Sequence, residues 1–429
     1  MNKQMITNQR IKEQYIKVEH PTGLTILLYP MKGYSSAYAL FGTKYGSTDR
    51  SFKTNLDDDF VTVPDGIAHY LEHKLFESED GVDAFSLYAK TGANANAYTS
   101  FDKTAYLFSC TDNFKESLEI LLNFVQSPYF TKETVEKEQG IIGQEIRMYD
   151  DDAGWRVLFN ALGCMYQNHP VKVDIAGTVE SISHIDKDLL YRCYNTFYNL
   201  NNMVLAISGN FDPDEALQII NANLKENEKI TIERGSYQEP AEIVQNRKEI
   251  SLEIALPLFC IGYKMQPASG KEQLKAEVAS DLINELLVGE GSELYRQFYD
   301  TGLISGGAIG SEVMDGNGYF CNLFEGESRD PDQVYAFIQQ KVSQLQKDGI
   351  PKEEFELAKK MLYGRCMRQF NNVEAVASNL LDSYFSGVDV YDRIETVANI
   401  QYQDVVDFLK QYDNEKSVIS IVFPVGKES

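Results

Sequence analysis

The chain has 429 residues, enough for two or three domains, with 64 acidic against 40 basic residues and a net charge of −24. So acidic a balance argues against nucleic acid, whose phosphates select basic patches, and suits either basic peptides or a solvated surface. No stretch reaches the roughly eighteen apolar residues of a membrane span, so no membrane partner is expected.

Taken in chain order, the first strong signal runs from Val63 to Leu75. Val63-Pro64-Asp65-Gly66 supplies a helix entrance. Ile67, Leu71 and Leu75 then recur every fourth residue as an apolar stripe, while His69, Glu72 and His73 occupy the other side. The order His-x-x-Glu-His is the inverted zinc-peptidase motif. Two imidazoles four residues apart lie on one helix face, within reach of a single metal ion. At about 100° per residue Glu72 flanks them, placed to act on a water molecule without itself binding the metal. The alternative is two surface histidines on an ordinary amphipathic helix.

Next comes Thr91-Gly92-Ala93-Asn94-Ala95-Asn96-Ala97-Tyr98-Thr99, an extended segment of small residues. At a sheet edge it would offer unpaired backbone groups and close approach to a peptide; taken alone, an ordinary edge or loop rich in small residues is the favoured reading. An amphipathic helix over Phe114–Gln126 precedes a second one over Thr131–Tyr149, which opens with a threonine cap and acidic residues. Glu138 and Glu145 are seven apart on a face shared with Val135, Ile142 and Ile146, so they point inward. Carboxylates so placed want a counter-charge, for which a metal ion serves. Taken alone, the segment favours two solvated glutamates over a metal ligand pair.

The rest of the chain repeats the plan. Helices at Asp332–Lys347 and from Pro351 echo those at Phe114 and Thr131; shifted by 220 residues, Glu138 falls on Ala358 and Glu145 on Arg365. Met203–Ser208 is echoed by Val418–Phe423, and Ala279–Leu286 stands near the shifted histidine motif without a histidine. The repeat keeps the architecture and loses the metal. A polar linker at 226–246 separates the halves, giving an α+β domain over 1–225 and a homologous metal-free α+β domain over 247–429, each an antiparallel-rich sheet with helices.

His-x-x-Glu-His followed by a Glu-x6-Glu helix resembles the pitrilysin/insulin-degrading class of zinc peptidases, the group that includes mitochondrial processing peptidase. Glu145 follows His73 by 72 residues, as the third ligand does in that class. The segment around Asn96 is similar to its Gly-x-x-Asn-Ala-x-Thr strand, and His169-Pro170, Gly177–Glu180 and Tyr198–Gly209 match the remainder of its zinc-bearing half. The resemblance implies one Zn2+ per chain on His69, His73 and Glu145, with Glu138 orienting a ligand from behind and Glu72 as catalytic base. It implies Asn96, Ala97 and Tyr98 along the substrate, and two homologous units in a clamshell enclosing a chamber that admits short or unfolded peptides. The implied activity is that of a zinc metalloendopeptidase in peptide processing or degradation. The same fold also serves as a non-catalytic structural or binding subunit, which is the alternative.

One departure concerns the second half, which in the family grips substrate through an arginine and a tyrosine. The matching hairpin, Gly302–Phe320, offers Tyr319 as a substrate-binding residue but no arginine. A bidentate arginine clamp is hard to replace. A homologous metal-free partner subunit, or a second copy of the chain, is therefore expected to supply it, with a heterodimer as the working form. The first ten residues lack the apolar core of a signal peptide, and the six cysteines show no Cys-x-x-Cys spacing; reduced, buried thiols in a cytoplasmic protein are expected. Val288–Ser292 lacks the lysine of a phosphate loop and reads as a turn.

Overall fold

The computed structural model describes residues 2–305 and 309–426. Its helices and strands form two compact α+β units: Met1–Ile146, Asp174–Gly235 and Arg368–Val390 in the first, and Arg147–Val173, Ser236–Met367 and Tyr391–Ser429 in the second.

The first unit is built on seven strands: β1 (Asn2–Asn8), β2 (Glu13–Glu19), β3 (Thr25–Pro30), β4 (Ala37–Thr43), β5 (Asn94–Thr99), β6 (Thr104–Cys110) and β7 (Met203–Gly209). They lie in the order β1-β2-β3-β7-β4-β6-β5, antiparallel throughout except for the β3–β7 pair. The second unit holds β8 (Arg247–Leu252), β9 (Leu258–Lys264), β10 (Gly310–Gly316), β11 (Tyr319–Glu327) and β12 (Ser417–Pro424), ordered β8-β12-β9-β11-β10. Only β8 and β12 run parallel there. This is the order of the last five strands of the first sheet, so the internal repeat is a repeat of topology. A small three-stranded sheet of Ser51–Thr54, Val61–Thr62 and Ile232–Arg234 belongs to the first unit.

The helices of the two units include α1 (Ile67–Lys74), α2 (Lys132–Asp151), α3 (Ala153–Met165), α4 (Gly270–Val288), α5 (Lys352–Gln369) and α6 (Val373–Phe385). Strands β4 and β7 are buried at every residue. A strand apolar on both faces needs cover on both. Helix Phe114–Val125 covers one face of β4, and α6 packs on β4 and β7. In the second unit α3 packs on β9 and β12. Each sheet is thus completed by a helix from the other half of the sequence. Set beside continuous halves at 1–225 and 247–429, the units exchange Arg147–Val173 and Arg368–Val390, which hold these two helices, while residues 226–235 join the first unit and 236–246 the second.

Glycine makes the close packing possible. A Cβ on Gly42 of β4 would stand 2.7 Å from Leu381 of α6, and one on Gly262 of β9 would stand 2.8 Å from the Met165 sulfur of α3. The two glycines are 220 residues apart, the same shift that relates the helices. All six cysteines are buried and free of disulfides. Among the described residues, no helix is long and apolar enough to cross a membrane.

Candidate metal centre

Helix α1 starts at Gly66, which has φ 89°. A Cβ there would lie 2.3 Å from the Ala176 carbonyl oxygen, so the entrance requires glycine for both backbone and space. Ile67, Ala68, Tyr70 and Leu71 bury the inner side of the helix. The Tyr70 hydroxyl donates to the Val135 carbonyl at 2.5 Å and so ties α1 to α2. His69 and His73, one turn apart, meet edge to face with ring centroids 4.6 Å apart.

On α2, Val135, Glu138, Ile142 and Ile146 are buried and Glu145 is half-buried on the same inward side. Glu145 Oε1 lies 3.7 Å from His69 Nε2, and its Oε2 lies 3.4 Å from His73 Nε2. Donors held at about 2.0–2.1 Å in a tetrahedron around zinc are roughly 3.3–3.5 Å apart, so the Glu145–His73 spacing is that of a zinc set and the Glu145–His69 spacing is a few tenths of an ångström wider. Among the described residues, His69, His73 and Glu145 are the group of His, Cys, Asp and Glu side chains able to share a metal. Behind them, Glu138 bonds His73 Nδ1 at 3.0 Å, which presents Nε2 toward Glu145. His69 Nδ1, by contrast, is buried without a hydrogen-bond partner among the described residues.

Electrostatics fit the same reading. Burial first, and then its neighbour His73, lower the His69 pKa to about 4, so this imidazole is neutral and its lone pair is available near neutral pH. For His73 burial opposes protonation, but the Glu138 hydrogen bond and the charges of Glu145 and Glu72 outweigh it and raise the pKa. Three carboxylates thus favour a cation at this spot. Burial also raises the Glu72 pKa, against the Thr99 hydrogen bond and His73. Glu138 is held below the usual carboxylate range, its burial outweighed by the His73 hydrogen bond and charge and by Lys74.

Sequence reasoning missed Thr99. Its hydroxyl donates to Glu72 Oε2 at 2.6 Å and holds the carboxylate from the end of β5. The available signal was the alternation Ala95, Ala97, Thr99, which puts one hydroxyl in line with two methyls on a single strand face. By the same alternation Ala97 faces the Glu72 side, whereas the side chains of Asn96 and Tyr98 leave the other face of the strand. Asn96 Oδ1 accepts from the Ala97 N–H at 2.9 Å. Tyr98 is pushed up in pKa by burial and by Asp382 of α6. Strand β5 ends the sheet, so it brings its backbone edge to this region.

The remaining residues have contacts of their own. Tyr319 belongs to the second unit, where it is 3% exposed and packs against Tyr166 and His169. Part of its hairpin, residues 306–308, lies outside the described residues. His169 bonds the Asn317 carbonyl, and His20 bonds Thr22 and Asn221. At the repeat-related position in the second unit, Arg365 of α5 stands where Glu145 would fall and donates to Glu285 of α4 at 2.6 Å. Arg393 pairs with Asp281 and Glu277 one and two turns earlier on α4. The charges are inverted there: carboxylates on the first helix, arginine on the second, and protein cations in place of an ion.

If Glu138 orients His73 through Nδ1, then Glu138→Gln should weaken zinc binding by about 10–100-fold while the fold is kept. Competition against a chromogenic chelator measures this, and an unchanged affinity would remove Glu138 from the centre.

A two-unit α+β fold carrying an inverted His-x-x-Glu-His helix and a carboxylate from a second helix defines a chain of the metallopeptidase type. The family model described as insulinase (peptidase family M16) matches residues 63–179, and that of the peptidase M16 inactive domain matches residues 184–362. The uncharacterized zinc protease YmfH of Bacillus subtilis (strain 168) is 40% identical over 413 residues, 95% of each chain. A solved M16-like peptidase from Alicyclobacillus acidocaldarius superimposes with a TM-score of 0.91 at 33% identity, covering 99% of both chains. Pitrilysin shares the fold at a TM-score of 0.75 and 17% identity, over 100% of this chain and 47% of its own. The chain belongs to peptidase family M16, the insulinase or pitrilysin-type family.

Proposed function

We propose that the chain is a zinc-dependent endopeptidase acting on short or unfolded peptides. The observation that carries this is the convergence of His69, His73 and Glu145, whose donor atoms lie within 4.8 Å of one another with Glu145 at 3.4 and 3.7 Å from the two imidazoles, beside the Glu72 carboxylate held by Thr99. The name zinc protease borne by the Bacillus relative supports it.

Zinc held by His69, His73 and Glu145 would supply Lewis acidity for a scissile carbonyl. Glu72 takes a proton from the attacking water as its oxygen bonds the carbonyl carbon, and returns that proton to the amine nitrogen as the C–N bond breaks. Glu138 keeps His73 in the tautomer that offers Nε2. The open edge of β5 aligns the peptide through main-chain bonds, and the Ala95 and Ala97 methyls let it come close. Pairing with an edge demands an extended chain, which short and unfolded peptides provide and folded proteins do not.

Two finer readings belong to the same proposal. Six buried, unpaired thiols support a reducing, cytoplasmic setting. The Gly302–Phe320 segment carries no arginine, which supports a substrate-gripping arginine from a second chain, either a metal-free relative or another copy.

Purified protein should hold about one zinc per chain and cleave a mixture of quenched fluorogenic peptides, lose that activity to a chelator, and regain it with zinc. Bound zinc with no cleavage of any peptide, alone or with a metal-free relative, would leave a non-catalytic binding subunit. Saturable cleavage by a protein that stays monomeric in light scattering would remove the partner.

A further inference from the structure

The Thr99 hydroxyl has one proton, and its destination can be read from its neighbours. Thr104, opposite Thr99 in the β5–β6 pair, spends its own proton on the Tyr45 carbonyl at 2.9 Å and lies 3.3 Å from Thr99 Oγ1. Thr104 Oγ1 is therefore only an acceptor toward Thr99, and of the two acceptors the Glu72 carboxylate, nearer at 2.6 Å and charged, takes the Thr99 proton. Thr99 itself is only half-buried, so water can satisfy its hydroxyl, and burial alone does not require this bond. Glu72, at 9% exposed, is the partner that needs it.

The strand carrying Thr99 is fixed at one end and open along its side. The turn after it is clamped: Ser47 N–H donates to the Ser100 carbonyl at 3.0 Å, Ser100 N–H donates to Lys103, and Lys103 pairs with Asp382 of α6 at 3.2 Å. Asn94 and Asn96 are exposed, and the far edge of β5 has no neighbouring strand among the described residues. A strand paired on one side only is looser than one paired on both.

Resting on the peptidase reading, we propose that Thr99 is a positioning residue that couples substrate docking to the base. A peptide that adds to the open edge of β5 stiffens the strand, and the stiffened strand aims the Glu72 carboxylate through the Thr99 hydroxyl. The edge that recognises the main chain and the hydroxyl that orients the base then belong to one element six residues long. The base is fully aligned only when an extended chain is in place, so the coupling contributes to turnover and not to initial binding.

The test compares wild type, Thr99→Val and Thr99→Ser on one quenched fluorogenic peptide, with zinc content measured for each. Thr99→Val keeps the shape and removes the donor. It should retain zinc and KM while kcat falls about ten- to hundredfold, the range of one hydrogen bond to a charged group. Thr99→Ser restores the donor and should return kcat to within about threefold of wild type. Undiminished kcat in Thr99→Val overturns the proposal. So does a loss carried by KM, or one that serine fails to restore, since either marks a packing role. Wild type is measured first, alone and with a metal-free relative: if it binds zinc and cleaves nothing in either form, the peptidase reading itself has failed and this coupling falls with it.

Discussion

Glu72→Gln is expected to keep about one zinc per chain and to slow peptide cleavage by about 10²–10⁴-fold. Glu72 is not among the three donors that converge, so its replacement leaves the metal set intact. Glutamine has nearly the same shape, and its side-chain oxygen can still accept the Thr99 hydroxyl that now meets Glu72 Oε2 at 2.6 Å. What it lacks is basicity: an amide cannot take a proton from water near neutral pH and cannot hand one to the leaving amine. Binding, strand alignment and polarisation of the carbonyl survive, and proton transfer is lost. Metal analysis and steady-state kinetics on the same preparation give both numbers. Cleavage at the wild-type rate would show that the base lies elsewhere.

What could be read in the sequence followed local geometry. His69, Glu72 and His73 were legible because a helix converts spacing into direction, and Glu138 and Glu145 because seven residues return to the same helix face. Thr99 was not, since its partner is 27 residues away and nothing local says that β5 ends beside α1. The repeat was visible, but the exchange of α3 and α6 was not. An amphipathic helix advertises an apolar face and gives no address for it. Gly42 and Gly262 hold part of that address: glycine inside a fully buried strand signals a close neighbour, and their equal shift ties the two sites together. Tyr319 reads as a substrate contact from its place in a hairpin; in the second unit its ring lies 5.1 Å from that of His169 between centroids. An aromatic residue carries no sign of whether its ring faces a site or a core.

His69→Ala is expected to abolish both zinc retention and cleavage, and so to differ from Glu72→Gln in cause although both proteins would be nearly inactive. Catalytic zinc takes three protein donors, and removing one leaves His73 and Glu145, too few to hold the ion against water. His73 keeps its Glu138 bond at 3.0 Å, so the loss is not a collapse of the helix pair. An activity-independent measurement separates the two variants. A ligand that binds only the folded form stabilises it by about 2.7 kcal/mol at a hundredfold excess over its Kd, so zinc should raise the thermal unfolding midpoint of wild type and of Glu72→Gln. It should leave His69→Ala unmoved. A zinc-dependent rise of equal size in His69→Ala would place the ion on other residues, and the base assigned to Glu72 would lose the centre it serves.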